Sequence, residues 1–212
     1  MEVIQNFLRI KNQISVLNSK TKLIAVSKGH SVDKIKFLID SGHQDFGENK
    51  VQEASHKWNN LTRNNINLHL VGGLQSNKAK EAFKIFNYIH SLDSEKLARI
   101  FSDLEKNNPR KIKYFIQVNI GDEIHKRGLN ISFVSDFIKY CQNDLKLNIL
   151  GLMCIPPVNK PPESYFLKLK KLNDDNNLKD LSMGMSDDYE LAIKLGSTFV
   201  RVGTAIFGKR SN

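Results

Sequence analysis

The stretch LIAVSKGHSVDKIKFLIDSGHQDFG, residues 23–47, contains the repeating pattern from which the architecture of the chain follows. An apolar run at its start predicts a buried strand over 23–27. Ser31 comes next, at a position suited to a helix N-cap, and apolar residues at helical spacing follow it. Gly42 predicts the end of that helix, because glycine readily adopts the left-handed conformation needed at C′. A second strand over 44–47 completes a strand–helix–strand unit, which is typical of a parallel sheet.

The same alternation of strands and helices continues to the carboxyl end of the chain. Further strands are predicted over residues 68–71, 88–91, 112–120, 149–155, 178–183 and 198–202. Eight strands with helices between them predict an α/β protein, a (β/α)8 barrel of the TIM type. An extra helix within residues 1–20 should cover the gap where the eighth strand lacks a full helix after it. Since no linker or repeat divides the sequence, we predict one domain over 1–212.

The charge of the chain is high but dispersed. Its formal net charge is +10 and 25% of its residues are charged. A nucleic-acid footprint would gather Lys and Arg on one element, whereas here the densest group is Lys168, Lys170 and Lys171 on a predicted helix. Nucleic-acid binding is therefore not expected, although the net charge leaves it possible.

Cysteine, histidine and apolar patterns give no sign of a disulfide, a metal site or a membrane span. The two cysteines, Cys141 and Cys154, stand in apolar segments and are expected to be small buried residues. The six histidines never approach a metal-ligand spacing such as HExxH. No run approaches the ~18 apolar residues that cross a bilayer, and no segment resembles a signal peptide. We expect a cytosolic protein that does not enter membranes.

Lys28 stands directly after the first predicted strand, at the end of the barrel where such proteins carry their chemistry. Taken alone, Lys28 is better explained as one of many solvated surface lysines. A second feature adds to it: the stretches 181–186 and 201–208 are rich in Gly, Ser and Thr, and backbone amides in such turns bind phosphate. An amine beside a phosphate site indicates a phosphorylated aldehyde held as a Schiff base.

Other residues after the strands have competing interpretations. Ser186 could bind phosphate, or it could be the N-cap of the helix that follows, because both roles use unpaired N–H groups. Asn49 belongs to a Gly-Glu-Asn turn that could be only a turn with a helix cap. Arg201 lies inside a buried-looking strand and must have a partner there. We expect His90 to be a hydrogen-bonded core histidine rather than a ligand.

Together and in order, these stretches resemble the pyridoxal-5′-phosphate homeostasis proteins of the YggS/PROSC type. The matching blocks are residues 25–28, 46–49, 74–78, 117–120, 151–153, 181–188, 196–198 and 200–208. The family is a barrel similar to the amino-terminal domain of alanine racemase. By this resemblance the cofactor is pyridoxal 5′-phosphate (PLP), and Lys28 holds it as an aldimine.

The resemblance also implies which residues contact the ring and the phosphate of PLP. The residues concerned are Asn49, Met183, Ser186, Arg201, Gly203 and Thr204. Arg201 would approach the pyridine nitrogen and keep it unprotonated, which weakens the ring as an electron sink. Ser186, Gly203 and Thr204 would hold the phosphate. Asn49 and Met183 would line the pocket.

The resemblance implies a non-catalytic protein that buffers PLP or delivers it to PLP-dependent apo-enzymes, and we expect a monomer. No β-rich second domain is expected, and in alanine racemase that domain supplies one of the two acid–base groups. The alternative hypothesis is a weak PLP-dependent amino-acid racemase or a related enzyme. A third hypothesis, a basic nucleic-acid-binding module, has only the net charge in its favour. Gly73 stands where the family varies, and Gly121, His125 and Arg127 depart from its usual residues.

Overall fold

The computed structural model describes residues 2–59, 61 and 65–209, so residues 1, 60, 62–64 and 210–212 of the predicted domain lie outside it. Parallel strands close into a barrel in chain order, with the eighth strand paired to the first. The strands are Lys22–Val26 (β1), Asp45–Glu48 (β2), Asn67–Leu70 (β3), Tyr88–Leu92 (β4), Lys113–Gln117 (β5), Asn148–Met153 (β6), Asp180–Ser182 (β7) and Phe199–Val202 (β8). The predicted (β/α)8 barrel is confirmed.

Helices surround the barrel and connect its strands. The α-helices are Glu2–Asn18 (α1), Val32–Asp40 (α2), Val51–Trp58 (α3), Ala79–Ile85 (α4), Glu95–Lys106 (α5), Val134–Lys139 (α6), Glu163–Asp175 (α7), Tyr189–Lys194 (α8) and Thr204–Phe207 (α9). Since α9 is a single turn, it cannot cover the β8–β1 seam alone. The additional helix α1 packs against α2, α8 and α9, which fills the gap as predicted.

The alternation of side chains along each strand divides the core into two parts. Outward-facing residues such as Ala25 and Phe46 pack beneath the helices. Inward-facing residues such as Ile24, Val26 and Phe199 fill the barrel. Because successive side chains of a strand point to opposite faces, the parity of a residue on its strand decides whether it meets the helices or the barrel interior.

Two strands differ most from their predicted lengths, and the predicted N-cap position of Ser31 is confirmed. The strand predicted over 112–120 is Lys113–Gln117, because Asn119 leaves it to bond Leu129 across a loop. The strand predicted over 178–183 is Asp180–Ser182, since the residues before it form the turn after α7. Ser31 occupies the N-cap position of α2, but its side chain makes no capping hydrogen bond.

Candidate cofactor-binding site

The carboxyl ends of the strands open onto a cavity of about 560 Å³. The predicted site residues that line it are Lys28, Asn49, Ser186, Arg201, Gly203 and Thr204. They come from the loops after β1, β2 and β7 and from β8 with the loop that follows it. The structure thus brings together residues that are far apart in sequence, because parallel strands end on one face of the barrel.

Lys28 lines the cavity because the alternation of side chains along β1, continued past the end of the strand, points it inward. Ile24 and Val26 point into the barrel, and Lys28 follows them two residues further on, beyond the last residue of the strand. Its side chain is partly buried in the cavity wall. The placement matches the sequence prediction that this lysine projects into a pocket.

The backbone on both sides of Lys28 is held by an ionic cluster formed by Glu48 of β2 with Glu53 and Lys57 of α3. Ser27 Oγ donates a hydrogen bond of 2.7 Å to Glu48 Oε1, and Lys57 Nζ contacts the same oxygen at 2.9 Å. Gly29 N donates to Glu53 Oε1 at 2.5 Å, and Lys57 also contacts that carboxylate at 2.9 Å. Burial raises the pKa of Glu48, and Lys57 opposes that shift. The cluster fixes the turn that carries Lys28.

Arg201 points inward from β8 and is 4% exposed. Its Nη1 donates to Ser182 Oγ at 2.7 Å, and its Nη2 donates to the carbonyl oxygen of Cys154 at 2.9 Å. Burial lowers the pKa of Arg201. The expectation that this buried arginine has partners is confirmed, and its remaining N–H groups have no hydrogen-bond partner within the described residues.

Ser186 lies in the cavity wall, next to the start of α9. Its Oγ accepts long hydrogen bonds from Gly203 N at 3.4 Å and from Ala205 N at 3.3 Å. The interpretation of Ser186 as the N-cap of α8 is wrong, because Asp188 occupies that position. The N–H and hydroxyl of Thr204 make no hydrogen bond to any residue that the structure describes. These hydroxyls and amides form a concave group of donors suited to an anion.

Gly203 permits this group of donors to lie close to β1. A Cβ atom on Gly203 would lie 3.1 Å from the carbonyl oxygen of Val26. A larger residue would push the loop away from β1 and change the distance between the donors and Lys28.

Met183 does not line the cavity, which corrects its predicted position. It is fully buried in the core between the barrel and the helices. Ser182 points inward to contact Arg201, so the next residue must point outward. Met185, two residues later and past the turn at Gly184, lines the cavity instead.

The end of β5 and the loop after it supply cavity residues that were not predicted as site residues. They are Gln117, Val118, Asn119, His125, Lys126 and Arg127. Arg127 crosses the mouth, where its Nε donates to Asp93 Oδ2 at 3.0 Å and its Nη2 donates to the carbonyl oxygen of Leu74 at 2.8 Å. A Cβ atom on Gly73 would lie 2.5 Å from Arg127 Nη1. A larger residue at 73 would therefore displace the Arg127 guanidinium.

The described residues contain no group of three or more His, Cys, Asp or Glu side chains placed to hold a metal ion. Both cysteines are buried and unpaired, and burial raises the pKa of each thiol to about 12. Within the same residues, no helix combines the length and the apolar character needed to cross a membrane.

The fold and the site define a barrel of the alanine racemase class. The family described as alanine racemase, N-terminal domain, matches residues 2–211. Within that class the chain belongs to the pyridoxal phosphate homeostasis protein family. It is 37% identical to the pyridoxal phosphate homeostasis protein of Pasteurella multocida (strain Pm70), over 99% of this chain and 95% of that protein. It is 31% identical to the one from Escherichia coli (strain K12), over 99% and 97%.

Solved structures agree with this assignment. PipY of Synechococcus elongatus PCC7942, solved with PLP bound, is 33% identical and has a TM-score of 0.84, covering 94% of this chain and 100% of PipY. Alanine racemase from Clostridium difficile 630 has a TM-score of 0.78 at 14% identity. This chain covers 57% of that racemase, and the likeness concerns the barrel fold alone.

Proposed function

We propose that this protein binds PLP in the cavity at the barrel mouth, with Lys28 as the covalent attachment point, and serves PLP homeostasis. The observation that carries the proposal is the convergence of an amine, a buried arginine and a group of anion-binding donors on one cavity. The similarity to PipY, which was solved with PLP bound, supports it.

The residues present fit the chemical groups of PLP. Nζ of Lys28 would hold PLP covalently through its aldehyde carbon, a role that requires a neutral amine. Ser186 Oγ and the N–H groups of Gly203 and Thr204 would donate to the phosphate oxygens. In this arrangement the anion replaces the long contacts that Ser186 makes with the Gly203 and Ala205 amides.

Arg201 would donate to the pyridine nitrogen through an N–H group that Ser182 and Cys154 leave unused. A guanidinium only donates hydrogen bonds, so the nitrogen would have to be an unprotonated acceptor. Bound PLP supplies an electron sink, and an unprotonated nitrogen weakens it. Asn49 would contact the ring from the β2 side, and Met185 rather than Met183 would supply the methionine of the cavity wall.

We propose that the protein is not an enzyme and that it buffers PLP or delivers it to PLP-dependent apo-enzymes. The weak electron sink implied by Arg201 and the homeostasis function named for the relatives favour a carrier over a racemase. A carrier exchanges cofactor with an apo-enzyme without turning over amino acids, whereas a racemase converts many molecules per bound PLP. The recipient enzymes, the monomeric state, the cytosolic location and the absence of nucleic-acid binding stay predictions.

Absorbance spectroscopy tests the binding proposal. Purified protein mixed with PLP should develop a visible band, and borohydride reduction should fix the adduct on Lys28 as shown by peptide mapping. Lys28→Ala should lose the reducible band and keep its fold. Lys50→Ala is the matched control, because Lys50 is exposed directly before α3 and does not line the cavity. An adduct scattered over surface lysines would overturn the proposal.

A further inference from the structure

A chain of buried hydrogen bonds runs through the barrel from Arg201 to Asp45. Arg201 Nη1 lies 2.7 Å from Ser182 Oγ, which lies 2.8 Å from His90 Nδ1. His90 Nε2 lies 2.9 Å from His69 Nδ1, and His69 Nε2 lies 3.0 Å from Asp45 Oδ1. Arg201 lines the cavity, whereas Asp45 is the first residue of β2. The chain therefore connects the base of the barrel to its mouth.

One arrangement of protons satisfies every link when both histidines are neutral and Asp45 is ionised. Arg201 can only donate and a carboxylate can only accept. His69 must then donate through Nε2 and accept at Nδ1, and His90 must do the same. Ser182 accepts from Arg201 and donates its own proton to His90. Every bond donates in the same direction, from the guanidinium towards the carboxylate.

The surroundings favour this arrangement. Burial lowers the pKa of His69 and lowers that of His90 well below its usual value, so both rings stay neutral at neutral pH. Although burial opposes ionisation of Asp45, the pKa of this carboxyl is lowered by hydrogen bonds from His69 and Asn67 and by the charge of Lys22. Lys22 on β1 and Lys113 on β5 add positive charge near the base of the barrel, which further disfavours a proton on His69.

Aromatic rings cover the two histidines in the middle of the chain. Tyr88 stacks on His69 with ring centroids 4.2 Å apart, and Phe115 stacks on His90 at 4.4 Å. His69, His90 and Ser182 are fully buried. Hydrogen bonds in such an environment polarise one another, so removing the charge of Asp45 would weaken the bonds that follow it along the chain.

We propose that Asp45, His69, His90 and Ser182 are positioning residues that orient the Arg201 guanidinium towards bound PLP and partly offset its charge from the base of the barrel. The inference rests on the proposed function, since it assumes that Arg201 contacts bound PLP. Ser182 holds one edge of the guanidinium, and the directional chain makes Ser182 a stronger acceptor. The guanidinium is thereby held in a single orientation for its hydrogen bond to the pyridine nitrogen.

The first test is Asp45→Asn, which removes a charge far from the cavity and keeps the size of the side chain. It should weaken PLP binding about tenfold, the loss expected when a charge-assisted chain loses about 1.4 kcal/mol. It should also shift the absorbance maximum of bound PLP or the pH at which that spectrum changes. A residue with a purely structural role would alter thermal stability and leave the spectrum unchanged.

Asp180→Asn is the matched control. Asp180 lies two residues before Ser182 on β7, and its side chain makes no hydrogen bond or ion pair within the described residues. It should bind PLP like the wild type. Equal affinity and equal spectra in Asp45→Asn and wild type would overturn the proposal. If Asp45→Asn fails to fold, Ser182→Ala decides the question, because it cuts the chain beside Arg201, and wild-type binding by that variant would overturn the proposal.

A readout without PLP separates this proposal from the proposed function. Nitrogen-15 NMR of the cofactor-free protein should find His69 and His90 neutral and protonated at Nε2, and Asp45→Asn should shift the His90 signals while Asp180→Asn does not. A histidine protonated at Nδ1 instead would overturn the chain. Failure of wild type to form a Lys28 adduct, with the predicted tautomers present, would overturn the proposed function and the role of the chain in cofactor binding.

Discussion

Lys57 Nζ donates a hydrogen bond of 2.8 Å to the carbonyl oxygen of Ser27, the residue immediately before Lys28. The same ammonium group pairs with the fully buried carboxylate of Glu48. One buried ion pair therefore helps to hold the backbone from which the proposed attachment residue projects. Stability and cofactor binding are linked at this point, because disturbing the pair disturbs the turn.

Replacing Lys57 by methionine should lower the free energy of unfolding by about 3–5 kcal/mol, because Glu48 would keep a buried position without its cationic partner. The Lys57 side chain is 8% exposed and that of Glu48 is 0% exposed. Urea denaturation measures the change. Lys170→Met is the control, since Lys170 pairs with Asp174 at the surface, and it should cost less than about 1 kcal/mol. Equally small losses of unfolding free energy in Lys57→Met and Lys170→Met would contradict the prediction.

Stability should fall as the pH drops from 6.5 towards 4, partly because of His43. Burial lowers the pKa of His43 from 6.5 to about 4, and its Nε2 bonds the carbonyl oxygen of Asp45 at 2.9 Å. Between these pH values the unfolded chain binds a proton that the folded protein excludes, so acid favours unfolding. The contribution of this residue, fully present above pH 6.5, amounts to about 3 kcal/mol and is lost by pH 4.

His43→Gln should reduce the difference in unfolding free energy between pH 7 and pH 4.5, measured by urea denaturation at both values. The exposed His56→Gln is the matched control and should behave as the wild type. A variant at 43 with the full wild-type pH dependence would show that other groups account for the acid sensitivity.

Ser186→Ala should weaken binding of PLP about tenfold and leave binding of pyridoxal, which lacks the phosphate, unchanged. The reason is that Ser186 Oγ and the adjacent amides would contact only the phosphate, and one hydrogen bond to a charged group contributes about 1.5–3 kcal/mol. Titration with both compounds, followed by absorbance, measures the ratio. Ser132→Ala, in the turn before α6 and outside the cavity lining, should change neither affinity. An equal loss for both compounds would place Ser186 away from the phosphate.

The two methionines after β7 should respond in opposite ways to replacement by alanine. Met183→Ala should lower the free energy of unfolding by about 2–5 kcal/mol, because it leaves a void in the core, while PLP affinity stays close to that of the wild type. Met185 is 38% exposed, so its replacement should cost less than about 1 kcal/mol and should alter PLP affinity. Thermal melting and PLP titration of both variants check this. The reverse pattern would contradict the position of Met183 in the core and of Met185 in the cavity wall.

Much of the site could be predicted because it depends on local signals. The apolar run that ends at Lys28, the turn-rich stretches around Ser186 and Gly203, and the improbable arginine at 201 are all visible in short windows of sequence. Parallel strands then bring these windows to one end of the barrel without further information. The assignment of Met183 to the cavity was wrong because β7 is only three residues long, and its parity is unclear from sequence.

The sequence by itself determined the order of strands and helices, the closed barrel and the placement of Lys28 at its mouth, because periodicity and turn residues act over a few positions along the chain. Only the tertiary structure decided which polar residues meet inside the barrel. Asp45, His69, His90, Ser182 and Arg201 stand on five strands, and no local pattern joins them. Barrel closure sets their register, and the cost of burying an unpaired polar group selects the contacts that they make.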